Sequence, residues 1–273
     1  MTADTGRTGA GAAGEVDVLA VGAHPDDVEM TCAGLLLKMK GLGYRTGALH
    51  LTRGEMGSRG TPEEREREAA AAAGIMRLDR MEILGLPDGR LRAGAEPVRM
   101  LAEVIRRLRP RLVIAPFPRD PHPDHAHAGL IAAEAVHAAT VRKLAVSADS
   151  RAGEATPHYV GQLVYSMYRT SFTPSFVVDI AAEFEDKRRA VLAYASQVSP
   201  TRPGEQESRL SSPQFMRGWE ARHVYHGMLI GAAYGEAYFC EYAIPLVDPV
   251  AAFAVPQQRR YATGHLAPGM EPA

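Results

Sequence analysis

Two short stretches of the chain hold the residues that could do chemistry. The first is VGAHPDDVEM, residues 21–30, where the apolar run Val18-Leu19-Ala20-Val21 leads into His24, Asp26 and Asp27. The second is PRDPHPDHAH, residues 118–127, where the apolar run RLVIAPF leads into His122, Asp124, His125 and His127. A surface turn accounts for a proline and one aspartate, but it does not need a histidine. Catalytic zinc takes three protein ligands from His, Asp, Glu or Cys and keeps a further position for water. His24 and Asp27 stand at His-x-x-Asp spacing, and His125 can supply the third ligand. Asp26, His122 and Asp124 are then left over beside the metal. A hydrolase needs such groups: a base for water, an acid for the leaving group and a residue to orient it.

Each residue also has a plainer reading. Asp27 could cap a helix beginning near Glu29. His125 and His127 could lie on an exposed helix start, and His127 is read as surface. Capping explains neither His24 nor the recurrence of His, Pro and Asp after a second apolar run.

The surrounding pattern puts both knots at equivalent places. Strand-like and helix-like segments alternate. VDVLAV, TGALHLT, MEILGL and RLVIAPF read as strands. AGLLLKMKGL, TPEEREREAAAAAGIM, PVRMLAEVIRRLRP and AGLIAAEAVHAATVRKL read as helices between and after them. In the second helix Thr61 is the expected N-cap, with Pro62 at the first position. This order implies an α/β fold with a mainly parallel sheet and helices on both faces. In such sheets the ligand crevice lies at the strand C-terminal ends, so the two knots can converge there. Beyond residue 160 come strands QLVYSMY and FVVDI, the helix EFEDKRRAVLAYASQ, a polar loop, the helix FMRGWEARHVYHGMLIGAAYG and the strand AYFCEYAI, a C-terminal elaboration. Residues 1–14 read as a disordered leader, 15–245 as one domain and 246–273 as an extended tail. Gly9, Gly11 and Gly14 fit G-x-G-x-x-G but precede the first strand, so they lack the context of a dinucleotide site.

Composition narrows the partners. The chain has 273 residues, is 46% hydrophobic and 23% charged, and carries a formal net charge of −1. No global basic field exists for nucleic acid or an anionic membrane, and no run is long and apolar enough to span a bilayer. Cys32 and Cys240 lie far apart in apolar stretches, which suits a reducing compartment; a cytoplasmic location is expected.

AHPDDVE together with HPDH resembles the PIG-L/LmbE-like zinc-dependent N-deacetylases. The resemblance is collinear from about residue 16 to about residue 243 and includes LTRGEMGSRGT, GLPDG, KRRAVLAYASQ and IGAAYGEAYF. It implies a Rossmann-like fold and removal of acetyl from an N-acetylglucosamine derivative. The ordered set looks most like the bacillithiol biosynthesis branch, which acts on N-acetylglucosaminyl malate. By the same resemblance His24, Asp27 and His125 bind Zn2+ or another divalent metal, and Asp26 is the general base. His122 stabilises the oxyanion and protonates the amine, oriented by Asp124. Arg53, Glu55 and Arg119 are the expected substrate contacts. Relatives are often oligomeric, so a homo-oligomer such as a hexamer is in keeping. One departure is Pro121, where close relatives often have arginine. Arg222, Tyr225 and His226 recur at helical spacing and read as an exposed face. Rival readings are a deacetylase of chitooligosaccharides or another amino sugar, an amidase of thiol conjugates, and a noncatalytic sugar-binding module on the same fold.

Overall fold

The computed structural model describes residues 14–144, 156–201 and 206–248. The expected leader and tail lie almost wholly outside the described residues. Seven strands form one sheet: β1 (Val18–Gly22), β2 (Thr46–Thr52), β3 (Arg80–Leu86), β4 (Leu112–Pro116), β5 (Gln162–Ser166), β6 (Phe176–Asp179) and β7 (Gly235–Phe239). Their order is β3-β2-β1-β4-β5-β7-β6. Strands β3 to β5 pair in parallel, whereas β7 runs antiparallel to both β5 and β6. The helices are α1 (Asp27–Gly41), α2 (Pro62–Met76), α3 (Ala95–Leu108), α4 (Pro123–Ala138), α5 (Phe184–Leu192), α6 (Ala195–Val198) and α7 (Pro213–Ile230). None of the described helices is long and apolar enough to cross a membrane.

Alternation along the strands explains the layers. Successive strand residues face opposite sides of a sheet. Leu19 and Val21 pack with α3 and α4 on one face, together with Leu49, Leu51, Val113 and Ala115. Val18 and Ala20 pack with Val28, Cys32, Leu35 and Leu36 of α1 on the other, together with Ala48 and Ile114. The central strands are buried on both faces and read as near-continuous apolar runs for that reason. The reversal of direction between β1–β2 and β1–β4 makes the C-terminal end of β1 a topological switch point, where α/β ligands bind.

Helix starts depart from expectation in a way that matters for the site. α1 and α4 begin at Asp27 and Pro123, inside the polar knots, rather than at the apolar segments that follow. Gly129 lets α4 lie close to β4, since a Cβ there would meet the Pro116 carbonyl oxygen at 2.4 Å. Thr61 caps α2 as expected, accepting from the Glu64 amide at 3.2 Å. The single helix expected over 183–197 is broken into α5 and α6. Tyr194, wholly buried, takes a non-helical backbone between them, and the Glu68 carboxylate accepts from the Ser196 amide at 2.6 Å.

Candidate metal centre

The turn after β1 places three polar side chains with little freedom. Asp26 occupies the N-cap position of α1 with φ 105°, a left-handed conformation rare for residues other than glycine. Its side chain makes no capping bond. The Asp27 side chain instead accepts from the His24 backbone amide at 2.8 Å. Helix capping therefore accounts for neither aspartate. Across the sheet, α4 brings His125 to the same point. His125 Nε2 lies 3.2 Å from Asp27 Oδ1, and His24 Nδ1 lies 3.4 Å from Asp27 Oδ2.

His24, Asp27 and His125 each offer a ligand atom, and these atoms lie within 4.8 Å of one another. Two imidazoles and one carboxylate suit zinc. The surroundings suit it too. Asp120 Oδ1 holds His125 Nδ1 at 3.1 Å, which leaves Nε2 to face the centre. Beyond His24, Nε2 meets Asp88 Oδ1 at 3.0 Å and Asp124 Oδ2 at 3.4 Å. His24, Asp88 and Asp124 form a second set with ligand spacing. Their carboxylates are already engaged: Asp88 accepts from the Met56 amide at 2.8 Å, and Asp124 from the Gly89 and Leu91 amides at 2.6 and 3.2 Å. They serve better as partners of His24 than as a second ligand set.

The titration of these groups follows their neighbours. Burial disfavours a charged His24, yet Asp124, Asp27 and Asp88 hold its pKa well above the usual imidazole value. Burial also opposes charge on His125, but Asp27 and Asp120 raise it to about 9. Burial pushes Asp27 upward, and His125 and His24 outweigh it, keeping the carboxyl well below its ordinary value. Without metal, the neighbouring carboxylates thus bias both imidazoles toward the protonated form. A divalent cation that displaces both protons restores the same charge.

Asp26 stands apart from this triad. Burial raises its pKa to about 6, against the Arg65 guanidinium and with the help of Asp27. Arg65 Nη2 lies 3.3 Å from Asp26 Oδ2 and also donates to the Pro25 carbonyl, while Nη1 donates to the Gly54 carbonyl at 3.0 Å. Gly54, with φ 72°, permits this approach, because a Cβ there would lie 2.0 Å from Arg65 Nη1. His122 is half-buried, with its ring 5.1 Å from that of His24 and 4.5 Å from that of His125. Its Nδ1 accepts from the Asp124 amide at 3.2 Å, so the neutral ring carries its proton on Nε2. Burial, His125, His24 and Arg169 lower its pKa.

Several expected contacts fall elsewhere. The Asp124 carboxylate faces His24 and the 89–91 loop; only its amide reaches His122. Arg53 is paired with Glu66 and Glu63 at the start of α2, at 2.5 and 3.0 Å. The arginine beside Asp26 is Arg65. Glu55 accepts from the Asp88 amide at 2.8 Å. Arg119 is exposed and makes no contact with the cluster among the described residues. Arg222 and His226 are not an exposed face. Arg222 is partly buried and donates to the Tyr168 carbonyl, and His226 is buried. Tyr225 is exposed as expected.

Comparison with known proteins places the chain in a family. The sequence profile of GlcNAc-PI de-N-acetylase, PIG-L, matches residues 19–136 and so includes both knots. The diacetylchitobiose deacetylase of Thermococcus kodakarensis is 33% identical over 192 residues, covering 66% of this chain and 69% of that protein. The chain belongs to the PIG-L family. Among solved structures, the conserved protein TT1542 from Thermus thermophilus is 40% identical to this PIG-L family member. It covers 85% of this chain and 97% of its own, with a TM-score of 0.75. GalB, a 4-carboxy-2-hydroxymuconate hydratase from Pseudomonas putida, shares the fold at 21% identity and a TM-score of 0.69, covering 85% of this chain and 98% of its own. One fold thus carries different reactions, and function is argued from the site.

Proposed function

We propose that this PIG-L family member is a zinc-dependent hydrolase that removes acetyl from an N-acetylglucosamine derivative, with N-acetylglucosaminyl malate as its substrate. The observation that carries the reading is Asp26: buried, turned out of its capping role, and placed next to the ligand triad without belonging to it. His24, Asp27 and His125 would hold the zinc, which would supply Lewis-acid polarisation and acidification of a water there.

The chain's own residues supply the proton transfers. Asp26 takes a proton from the attacking water. A carboxylate whose pKa is raised to about 6 is a stronger base than an ordinary one and remains mostly ionised at neutral pH. His122 is neutral there, because burial and nearby cations lower its pKa. Its Nε2–H donates to the carbonyl oxygen as that oxygen gains charge. This replaces the expected imidazolium donor. The amine leaves with the proton that Asp26 took from water, and the acid product gives up its own proton, leaving acetate and an ammonium. Asp120, Asp88 and Asp124 orient the imidazoles and do not touch the reacting atoms.

A substrate panel tests the reading. The zinc-loaded protein is offered N-acetylglucosaminyl malate, N-acetylglucosamine and diacetylchitobiose, and released amine is quantified. Release is expected from all three sugars to different extents and fastest from the malate conjugate. No amine from any of them would overturn the deacetylase reading, and a clear preference for diacetylchitobiose would overturn the malate assignment.

A further inference from the structure

Three arginines, Arg169, Arg209 and Arg222, lie around one residue beside the metal centre. Tyr168 is the point they share. Its buried side chain packs on His125, with ring centroids 4.7 Å apart. Arg169 follows it in the chain. The Arg169 amide donates to Asp120 Oδ2 at 2.8 Å, and Asp120 Oδ1 also holds the His122 amide at 2.9 Å and His125 Nδ1 at 3.1 Å. One carboxylate thus ties the backbone of Arg169 to two histidines of the site. Arg222 comes from α7 and donates Nη1 to the Tyr168 carbonyl. Arg209 lies in the loop before α7, with its guanidinium 5.4 Å from the centre of the Phe215 ring. All three exert their charge on this region: Arg169 on His122 and Tyr168, Arg209 on Tyr168 and Arg222, and Arg222 within the field of Asp120.

Like the exposed Arg77 and Arg217, they have no counter-ion among the described residues. Arg53, Arg65, Arg99, Arg107, Arg188 and Arg189 each sit within 4.0 Å of a carboxylate. Among the described residues Arg169, Arg209 and Arg222 have no such partner. Asp120 spends its oxygens on His125, His122 and the Arg169 amide. Arg169 and Arg209 are exposed, and Arg222 is partly buried, so the cations border solvent beside the centre. A cleft edged by charge of one sign concentrates ligands of the other. Guanidinium groups bind carboxylate and phosphate oxygens in pairs of hydrogen bonds.

We propose that Arg169, Arg209 and Arg222 form an oxyanion-binding subsite beside the metal centre that selects amino-sugar substrates bearing a carboxylate or a phosphate. This rests on the deacetylase reading above and moves anion recognition from Arg53 and Arg119 to residues of the C-terminal elaboration.

The test compares the parent with Arg169→Gln/Arg209→Gln, and with Arg222→Gln as a separate variant. Two measurements are made. In the first, kcat/KM of zinc-loaded protein is determined for N-acetylglucosaminyl malate, N-acetylglucosamine 1-phosphate and neutral N-acetylglucosamine, at low and high salt. The quantity read is the ratio of each anionic substrate to the neutral one. The parent ratio should exceed unity, fall with salt, and drop about 10- to 100-fold in the double variant, the range for losing hydrogen bonds to a charged group. The larger of the malate and phosphate ratios identifies the oxyanion. In the second, binding of malate and of inorganic phosphate is measured by calorimetry, with no turnover required. Binding to the parent that is lost in the double variant supports the subsite even if no sugar is deacetylated, an outcome that would fail the deacetylase reading alone. A parent that deacetylates the neutral sugar at least as well, or a ratio that stays within about twofold in a folded double variant, overturns the subsite. Absence of both malate and phosphate binding to the parent, together with no anionic preference, overturns it as well.

Discussion

Replacing Arg65 should move the acidic limb of the activity profile upward. Asp26 must be ionised to accept a proton, so activity falls as pH drops through its pKa. Burial raises that pKa and Arg65 is the main group opposing the rise, giving a value of about 6. At an effective dielectric of about 20, opposite charges 3.3 Å apart attract by roughly 5 kcal/mol. A close opposite charge holds a carboxyl down by about one to three pH units in practice. In Arg65→Met the limb should therefore move to about 7–9. The ionised fraction at pH 7 would drop from about nine-tenths to between about one-half and one-hundredth, with activity recovering at alkaline pH. A bound metal lowers the profile of parent and variant alike, so the difference between them persists. Arg65→Lys keeps the charge and should leave the limb near that of the parent. The assay is kcat against pH on metal-replete protein, with thermal melts to confirm folding, because Arg65 also satisfies two backbone carbonyls. A folded, metal-replete Arg65→Met whose acidic limb coincides with the parent's would refute the electrostatic account of Asp26.

Two further expectations concern the buried charges. Glu29 is buried beside Tyr194, and burial raises its pKa to about 8. This raised value means the folded state keeps a proton that the unfolded state loses. Stability of the metal-free protein should thus fall as pH rises from about 4.5 to about 8, by up to about 1.4 kcal/mol per pH unit from this group. Glu29→Gln should flatten that part of the denaturation profile; an unchanged slope would contradict it. Zinc binding at pH 7 should release about two protons, one each from His24 and His125, as read by calorimetry in buffers of different ionisation enthalpy. Zinc uptake without proton release would contradict the pairing described here.

The two knots were legible because their residue types and spacing are local and recur after apolar runs of one kind. The parallel half of the sheet was legible for a similar reason: its strands are buried on both faces and alternate with helices. What escaped depends on contacts between distant segments. Arg65 sits in EEREREAA, where it reads as one more charge on a solvated helix face. Only the packing of α2 beneath the β1 turn carries it to Asp26. Asp88 and Asp120 lie in PDG and PRDP, which read as turns; their role comes from the histidines that other strands bring to them. Arg222 sits at a helix position whose spacing suggested exposure, yet it reaches the Tyr168 carbonyl. Neither the insertion of β7 between β5 and β6 nor the break at Tyr194 has a local signal, because each is set by tertiary partners.

The central claim is that adjacent, chemically identical aspartates do different work: Asp27 holds the metal and Asp26 moves the proton. Metal content and turnover measured side by side on Asp26→Ala and Asp27→Ala test it most directly. Asp27→Ala should lose metal and activity together. Asp26→Ala should keep one metal per chain and lose about 10²–10⁴-fold in kcat, the range for a positioned general base. A metal-free Asp26→Ala beside a metal-replete Asp27→Ala would reverse the two roles, and parental turnover in metal-replete Asp26→Ala would contradict the base assignment outright.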